Sequence, residues 1–226
     1  MSALADSIRT SLRHASDPAR APAQQAYMKS AMPYLGVSVP LARRIARTAA
    51  RSVPDADAIL TAVRELWDVA AASEPHYREE RYAAMALLAI PAMRDDPRML
   101  ATIEHMVRTG RWWDYTDELA HRVADELDER PEATAAIVRR WASDDDLWMR
   151  RIAIIAQLGR KDRVDRMLLA DVLAPNLDDP EFFIRKAIGW ALRDLARADP
   201  EWVRGYAQEH ALSPLSRREA LKHLGS

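Results

Sequence analysis

Apolar residues recur along this chain at the three- and four-residue spacing of amphipathic helices, beginning with Leu4, Ile8 and Leu12. Almost every segment reads as a helix of 10 to 17 residues, and no β-branched run alternates with the period of a strand. The pattern predicts an all-α fold. Helix starts are marked by Ser38 before Pro40, Asp55, the run Asp144-Asp145-Asp146, Asp179-Pro180 and Ser213-Pro214. Each offers a side-chain cap or a proline whose missing N–H costs nothing in the first turn. Stops are expected at Gly110, Arg130-Pro131, Gly159 and Asp199-Pro200.

Above the helical period lies a second one, of about 35 residues. Trp148-Met-Arg-Arg aligns with Phe183-Ile-Arg-Lys at an offset of 35, Trp113 lies a further 35 upstream, and Tyr77 another 36. A degenerate last copy, Leu215-Ser-Arg-Arg, follows Phe183 by 32. An acidic cap, a short spacer, then apolar-basic-basic and small residues resembles the HEAT repeat. Units of this kind bury their apolar stripes only by stacking, which predicts a right-handed superhelical solenoid with a concave groove suited to an extended ligand.

At 226 residues, 49% apolar and 30% charged, the chain is expected to be a single packed domain over 1–226 and not a disordered polymer. With no cysteine, thiolate metal sites, iron–sulfur clusters and cysteine nucleophiles are excluded, and a cytoplasmic location is expected. The longest apolar run, Tyr82 to Met93, is 12 residues and contains Pro91, too short to span a membrane. The formal charge is −1, but the residues from Leu147 onward carry 14 basic against 11 acidic side chains. Arginine dominates the basic residues, with only Lys29, Lys161, Lys186 and Lys222 as lysines, a bias compatible with phosphate recognition.

Large residues that fall off the apolar stripes are the candidates for function. After Gly110 the stripe is Trp112, Thr116, Leu119, Val123 and Leu127; Trp113 lies roughly 90° from it, with Asp117 one turn on along the same face. After Glu181 the stripe is Ile184, Ile188, Ala191 and Leu195, and Trp190 points roughly 130° away among Lys186, Asp194 and Arg197. Packing between repeats accounts for both indoles as readily as a ligand does. Arg151 sits inside an apolar stripe and requires an anion, either a carboxylate such as Asp117 or a phosphate in the groove. The six histidines show no metal-ligand spacing, and neither a phosphate-binding glycine loop nor a nucleophile elbow occurs.

These residues sit in longer matching stretches: Tyr-Met-Lys-Ser at 27–30, Leu-Gly-Val-Ser-Val-Pro at 35–40, Arg-Glu-Leu-Trp-Asp at 64–68, Trp-Trp-Asp-Tyr-Thr-Asp at 112–117, Trp-Met-Arg-Arg at 148–151, Glu-Phe-Phe-Ile-Arg-Lys-Ala-Ile-Gly-Trp-Ala-Leu-Arg at 181–193 and Leu-Ser-Pro-Leu-Ser-Arg-Arg-Glu-Ala-Leu-Lys-His at 212–223. In order and over nearly the whole chain, they resemble the AlkD-type DNA alkylation repair glycosylases. The resemblance implies a monofunctional glycosylase that hydrolyses the N-glycosidic bond of cationic N3- or N7-alkylated purines in duplex DNA, without extruding the lesion. It implies that Trp113 and Trp190 cradle the lesion, that Asp117 is catalytic, and that Arg151, Tyr27, Phe183 and Lys186 bind DNA. No cofactor, metal or membrane is implied, and a monomer is expected. The competing reading is a non-catalytic HEAT-repeat protein that binds DNA structures or a protein partner. Tyr115 has no interpretation at this level.

Overall fold

The computed structural model describes residues 2–53, 55–68 and 75–224. Among them are thirteen α-helices and no strand, so the chain is all-α. It divides into two compact units, residues 1–99 and 100–226.

The first unit holds α1 (Ala3–His14), α2 (Ala21–Met28), α3 (Val39–Ala49), α4 (Ala56–Trp67) and α5 (Arg78–Leu87). Its centre is α5, which packs against α1, α3 and α4 and is buried along its whole length. The first turn of α5 is Arg-Glu-Glu-Arg, and each of these charges is satisfied internally. Arg78 donates to the Tyr82 hydroxyl at 3.0 Å, Glu80 accepts from Arg9 at 2.8 Å, and Arg81 donates to the Trp67 carbonyl at 3.1 Å. Glu79, 0% exposed, accepts the backbone N–H groups of Leu35, Gly36 and Val37 at 2.9 to 3.1 Å. That cradle requires glycine: Gly36 has φ +86°, and a Cβ there would lie 1.9 Å from the Asp17 carbonyl oxygen.

The second unit runs through α6 (Met99–Gly110, from Leu100), α7 (Trp113–Glu129), α8 (Pro131–Trp141), α9 (Leu147–Ile155), α10 (Arg166–Leu173), α11 (Phe182–Leu195), α12 (Pro200–Glu209) and α13 (Pro214–Ala220). Contacts run α7 to α9 to α11 to α13 in one layer, with α8 against α10 in the other, so alternate helices stack on their counterparts in the next repeat. The 35-residue period is therefore structural: Trp148, Phe183 and Leu215 are each the second residue of their helices, α9, α11 and α13. Capping follows the acidic and hydroxyl signals. Asp146 accepts from the Trp148 N–H at 3.0 Å and Ser213 from the Ser216 N–H at 3.1 Å. Proline opens α13 as Ser213-Pro214 predicts, while Arg130-Pro131 and Asp199-Pro200, expected as stops, follow the ends of α7 and α11 and also open α8 and α12.

Polar groups also follow the repeat. Arg151 pairs with Asp117, Arg160 and Arg163 with Asp128, Arg166 with Asp199, and Lys186 with Glu219, each across 32 to 35 residues of sequence. A charge on one repeat thus fixes the register of the next, in addition to the buried stripes of Leu119, Val123 and Leu127 on α7 and Ile184, Ile188 and Leu195 on α11. Tyr115 belongs to this core, buried beside Thr116 on α7.

Candidate functional site

The layer α7–α9–α11–α13 carries six of the seven residues singled out by sequence. Trp113 opens α7 and is half-buried; Asp117 follows one turn later on the same face. Trp190 lies in α11, half-buried, turned away from the core residues Ile184, Ile188 and Leu195. Arg151, from α9 between them, ties the two helices together. Its Nε and Nη2 donate to the two oxygens of Asp117, each at 2.8 Å, its Nη1 donates to the Phe183 carbonyl at 2.6 Å, and its guanidinium carbon lies 5.5 Å from the Trp190 ring centroid.

Of the two anions open to Arg151, it holds the carboxylate. Its side chain is 2% exposed, so the guanidinium acts as a buried, planar clamp that fixes the rotamer of Asp117. Asp117 keeps 19% of its side chain exposed and is not sealed from solvent. Burial pushes the Asp117 carboxyl above the usual aspartate range; the hydrogen bonds and positive charge of Arg151, with a smaller contribution from His121 one turn on, pull in the opposite direction. The result is a single carboxylate, positioned through two hydrogen bonds, on the same helix face as one tryptophan and bridged to the other.

An aromatic cluster beside this set differs in one residue from the 35-residue register of Trp113, Trp148 and Phe183. Trp112 joins it: its ring lies 6.0 Å from Trp148 and 6.1 Å from Phe183, Trp148 lies 5.0 Å from Phe183, and each pair is tilted. Trp112 is the N-cap of α7 with extended backbone, so the helical stripe that would bury it begins one residue later. Its indole completes a cluster of three mutually adjacent rings with Trp148 and Phe183. Phe183 is thus half-buried, while its neighbour Phe182, edge-on at 5.4 Å, is the exposed member of the pair.

Lys186 is held at this site by a partner that sequence reading missed. Its Nζ donates to Glu219 Oε1 at 2.8 Å, and Arg193 Nη1 donates to Glu219 Oε2 at 2.6 Å. Lys186 and Arg193 each lie 5.9 Å from the Trp190 centroid, so three cations surround that ring. The only signal for Glu219 in the sequence is its position 33 residues beyond Lys186, close to the repeat length. Tyr27 lies in the other unit, exposed on α2. Among the described residues no group of three or more histidine and carboxylate side chains is placed to hold a metal ion, and no helix is long and apolar enough to cross a membrane.

A solved structure, described as a predicted DNA alkylation repair enzyme from Enterococcus faecalis, is similar in fold, with a TM-score of 0.83 over 93% of this chain and 97% of that one at 24% identity. No curated protein matches the chain. The model of the DNA alkylation repair enzymes matches residues 8–224, essentially all of the sequence, and the protein belongs to that family.

Proposed function

We propose that the protein is a monofunctional DNA glycosylase that releases cationic N3- and N7-alkylated purines from duplex DNA, leaving the lesion in the stack. The observation that carries this reading is the convergence on Arg151 of Asp117, one turn from Trp113, and Trp190. A purine alkylated at N3 or N7 is already positively charged. It departs with the glycosidic electron pair as a neutral base and needs no general acid. Positive charge then develops on the deoxyribose, where one fixed carboxylate is the group required. Water adds at C1′, and its proton passes to Asp117 or to solvent.

Arg151 serves this step as a positioning residue. Its two hydrogen bonds hold the carboxylate without a search over rotamers, and its charge favours the ionised form that burial opposes. The two indoles offer faces to a cationic base and to polarised sugar C–H groups, worth about 0.5–2 kcal/mol each where water is excluded. This selects for charged lesions over ordinary bases without any pocket shaped to a flipped base. Phe182 and Phe183, Lys186 and, from the other unit, Tyr27 are assigned to duplex contact. Support for DNA as the partner comes from the family to which the chain belongs.

The test is chromatography of the bases released from a duplex containing 7-methylguanine, with a chelator present. Free 7-methylguanine in amounts that grow with time and protein supports the reading. Tight binding of the same duplex with no released base would replace it by a DNA-structure binder; no duplex affinity at low salt would favour a protein-binding scaffold.

A further inference from the structure

Glu219 lies on α13, one helix beyond the residues that the proposed chemistry uses. Its carboxylate takes one cation on each oxygen, Lys186 at 2.8 Å and Arg193 at 2.6 Å, and its side chain is 13% exposed. These two cations stand at positions −4 and +3 from Trp190 on α11, both 5.9 Å from its ring. The backbone that carries Glu219 is held unusually close. A Cβ on Gly189 would lie 2.5 Å from the Cβ of Glu219 and 3.0 Å from the Ser216 carbonyl oxygen, so only glycine admits α13 at this distance. Ser216, fully buried, donates from its hydroxyl to the Arg185 carbonyl at 2.9 Å and pins the register.

Counting formal charges around Trp190 gives Arg151, Lys186, Arg193 and Arg197 against Asp117, Asp194 and Glu219, a net of +1. Without Glu219 the net is +2. A more positive surround attracts phosphates but repels a base that carries its own positive charge, so the two effects have opposite signs. We infer that Glu219 is a positioning residue that holds Lys186 and Arg193 beside Trp190 and, by cancelling one of them, sets the preference of the site for cationic bases. This rests on the glycosylase reading for the nature of the base, but not for the effect on the duplex backbone.

The experiment compares the wild-type protein with Glu219→Gln, which keeps the shape and removes the charge. Two quantities are read: the affinity for unmodified duplex as a function of salt, and the single-turnover release of 7-methylguanine. Glu219→Gln is expected to bind unmodified duplex several-fold more tightly, with the slope of log K against log salt steeper by about 0.9 for each phosphate gained. Release of the cationic base is expected to fall on the order of five-fold, the size of one unit charge acting through a partly solvated site. Arg193→Gln changes the charge the other way and should flatten the salt slope, which keeps the test open if Glu219→Gln fails to fold. A merely structural role would weaken binding and release together, or move neither; either outcome overturns the inference. If the wild-type protein releases no base, the glycosylase reading fails, and the salt slopes alone decide whether Glu219 restrains the two cations.

Discussion

Two carboxylates, Glu79 in one unit and Asp117 in the other, show how differently the same chemical group can be used. Glu79 and Asp117 both have carboxyl groups that burial pushes above the ordinary range. Glu79 is closed off completely, with the amides of Leu35, Gly36 and Val37 occupying its oxygens. Its role ends with folding, because nothing can reach it. Asp117 is held from one side by a single guanidinium and keeps part of its surface open. A raised carboxyl alone therefore does not identify a catalytic acid; what separates the two is the geometry of the remaining lone pairs and the neighbours that face them.

The sharpest break in that comparison is Glu79→Ala. It leaves three N–H groups without an acceptor, two of them buried at about 1–3 kcal/mol each, so urea or thermal unfolding should show a loss of several kcal/mol. Base release per folded molecule should be unchanged. Gly36→Ala attacks the same cradle from the backbone, combining a positive φ with a 1.9 Å clash, and should also cost more than 2 kcal/mol by the same measurement.

Asp117→Asn breaks the other carboxylate. It leaves the Arg151 charge buried with only a neutral partner, so stability should also fall, within the 3–5 kcal/mol expected for a broken buried pair. The double variant Asp117→Asn/Arg151→Met removes both charges and should recover most of that stability while remaining inactive. Recovery of stability together with activity would show that the pair serves packing alone.

The pH dependence separates activity from stability. Asp117 must be ionised to stabilise a cationic sugar, and its carboxyl is raised, so base release should fall on acidification at a pH above that of an ordinary aspartate. Stability has the opposite sign for this group. A carboxyl raised on folding stabilises the native state at low pH, and that contribution is lost as pH rises through its folded value. Acid unfolding instead follows Asp128, Asp144, Asp199 and Glu219, whose carboxyls are held low by arginine and lysine partners. Their stabilisation is present above the unfolded carboxylate value and is lost as pH falls toward the lower folded one. A pH–rate profile beside a pH–melting profile checks both limbs. The smallest effect expected is Gly159→Ala: φ is +82° but nothing lies within 4 Å of the added Cβ, so only the left-handed backbone penalty of about 1 kcal/mol applies.

The same contrast explains how far the sequence alone reaches. Helix starts at Asp55, Asp146 and Ser213, the 35-residue period and the core stripes of α7 and α11 were legible because caps and apolar spacing act within a few residues. The displaced faces of Trp113 and Trp190 were legible for the same reason, as departures from a stripe. The buried first turn of α5 was not, since nothing local in the charged run Arg78, Glu79, Glu80 and Arg81 signals burial and their partners lie largely on other helices and loops. Nor was the choice between Trp112 and Trp113 as the member of the aromatic cluster, which depends on where α7 begins to one residue. Glu219 escaped notice because its one signal, a spacing of 33 residues from Lys186, does not by itself mark a contact; the stacking of α13 on α11 brings it to Trp190's neighbours.

The central claim is that Asp117, clamped by Arg151 and one turn from Trp113, performs the chemistry and not the binding. The direct measurement is single-turnover release of 7-methylguanine by Asp117→Asn set against its affinity for the same duplex. A fall in rate of about 10²–10³, the usual consequence of removing one preorganised electrostatic group, with duplex affinity within a few-fold of wild type, is the result predicted. Release at the wild-type rate by a folded Asp117→Asn protein would contradict it.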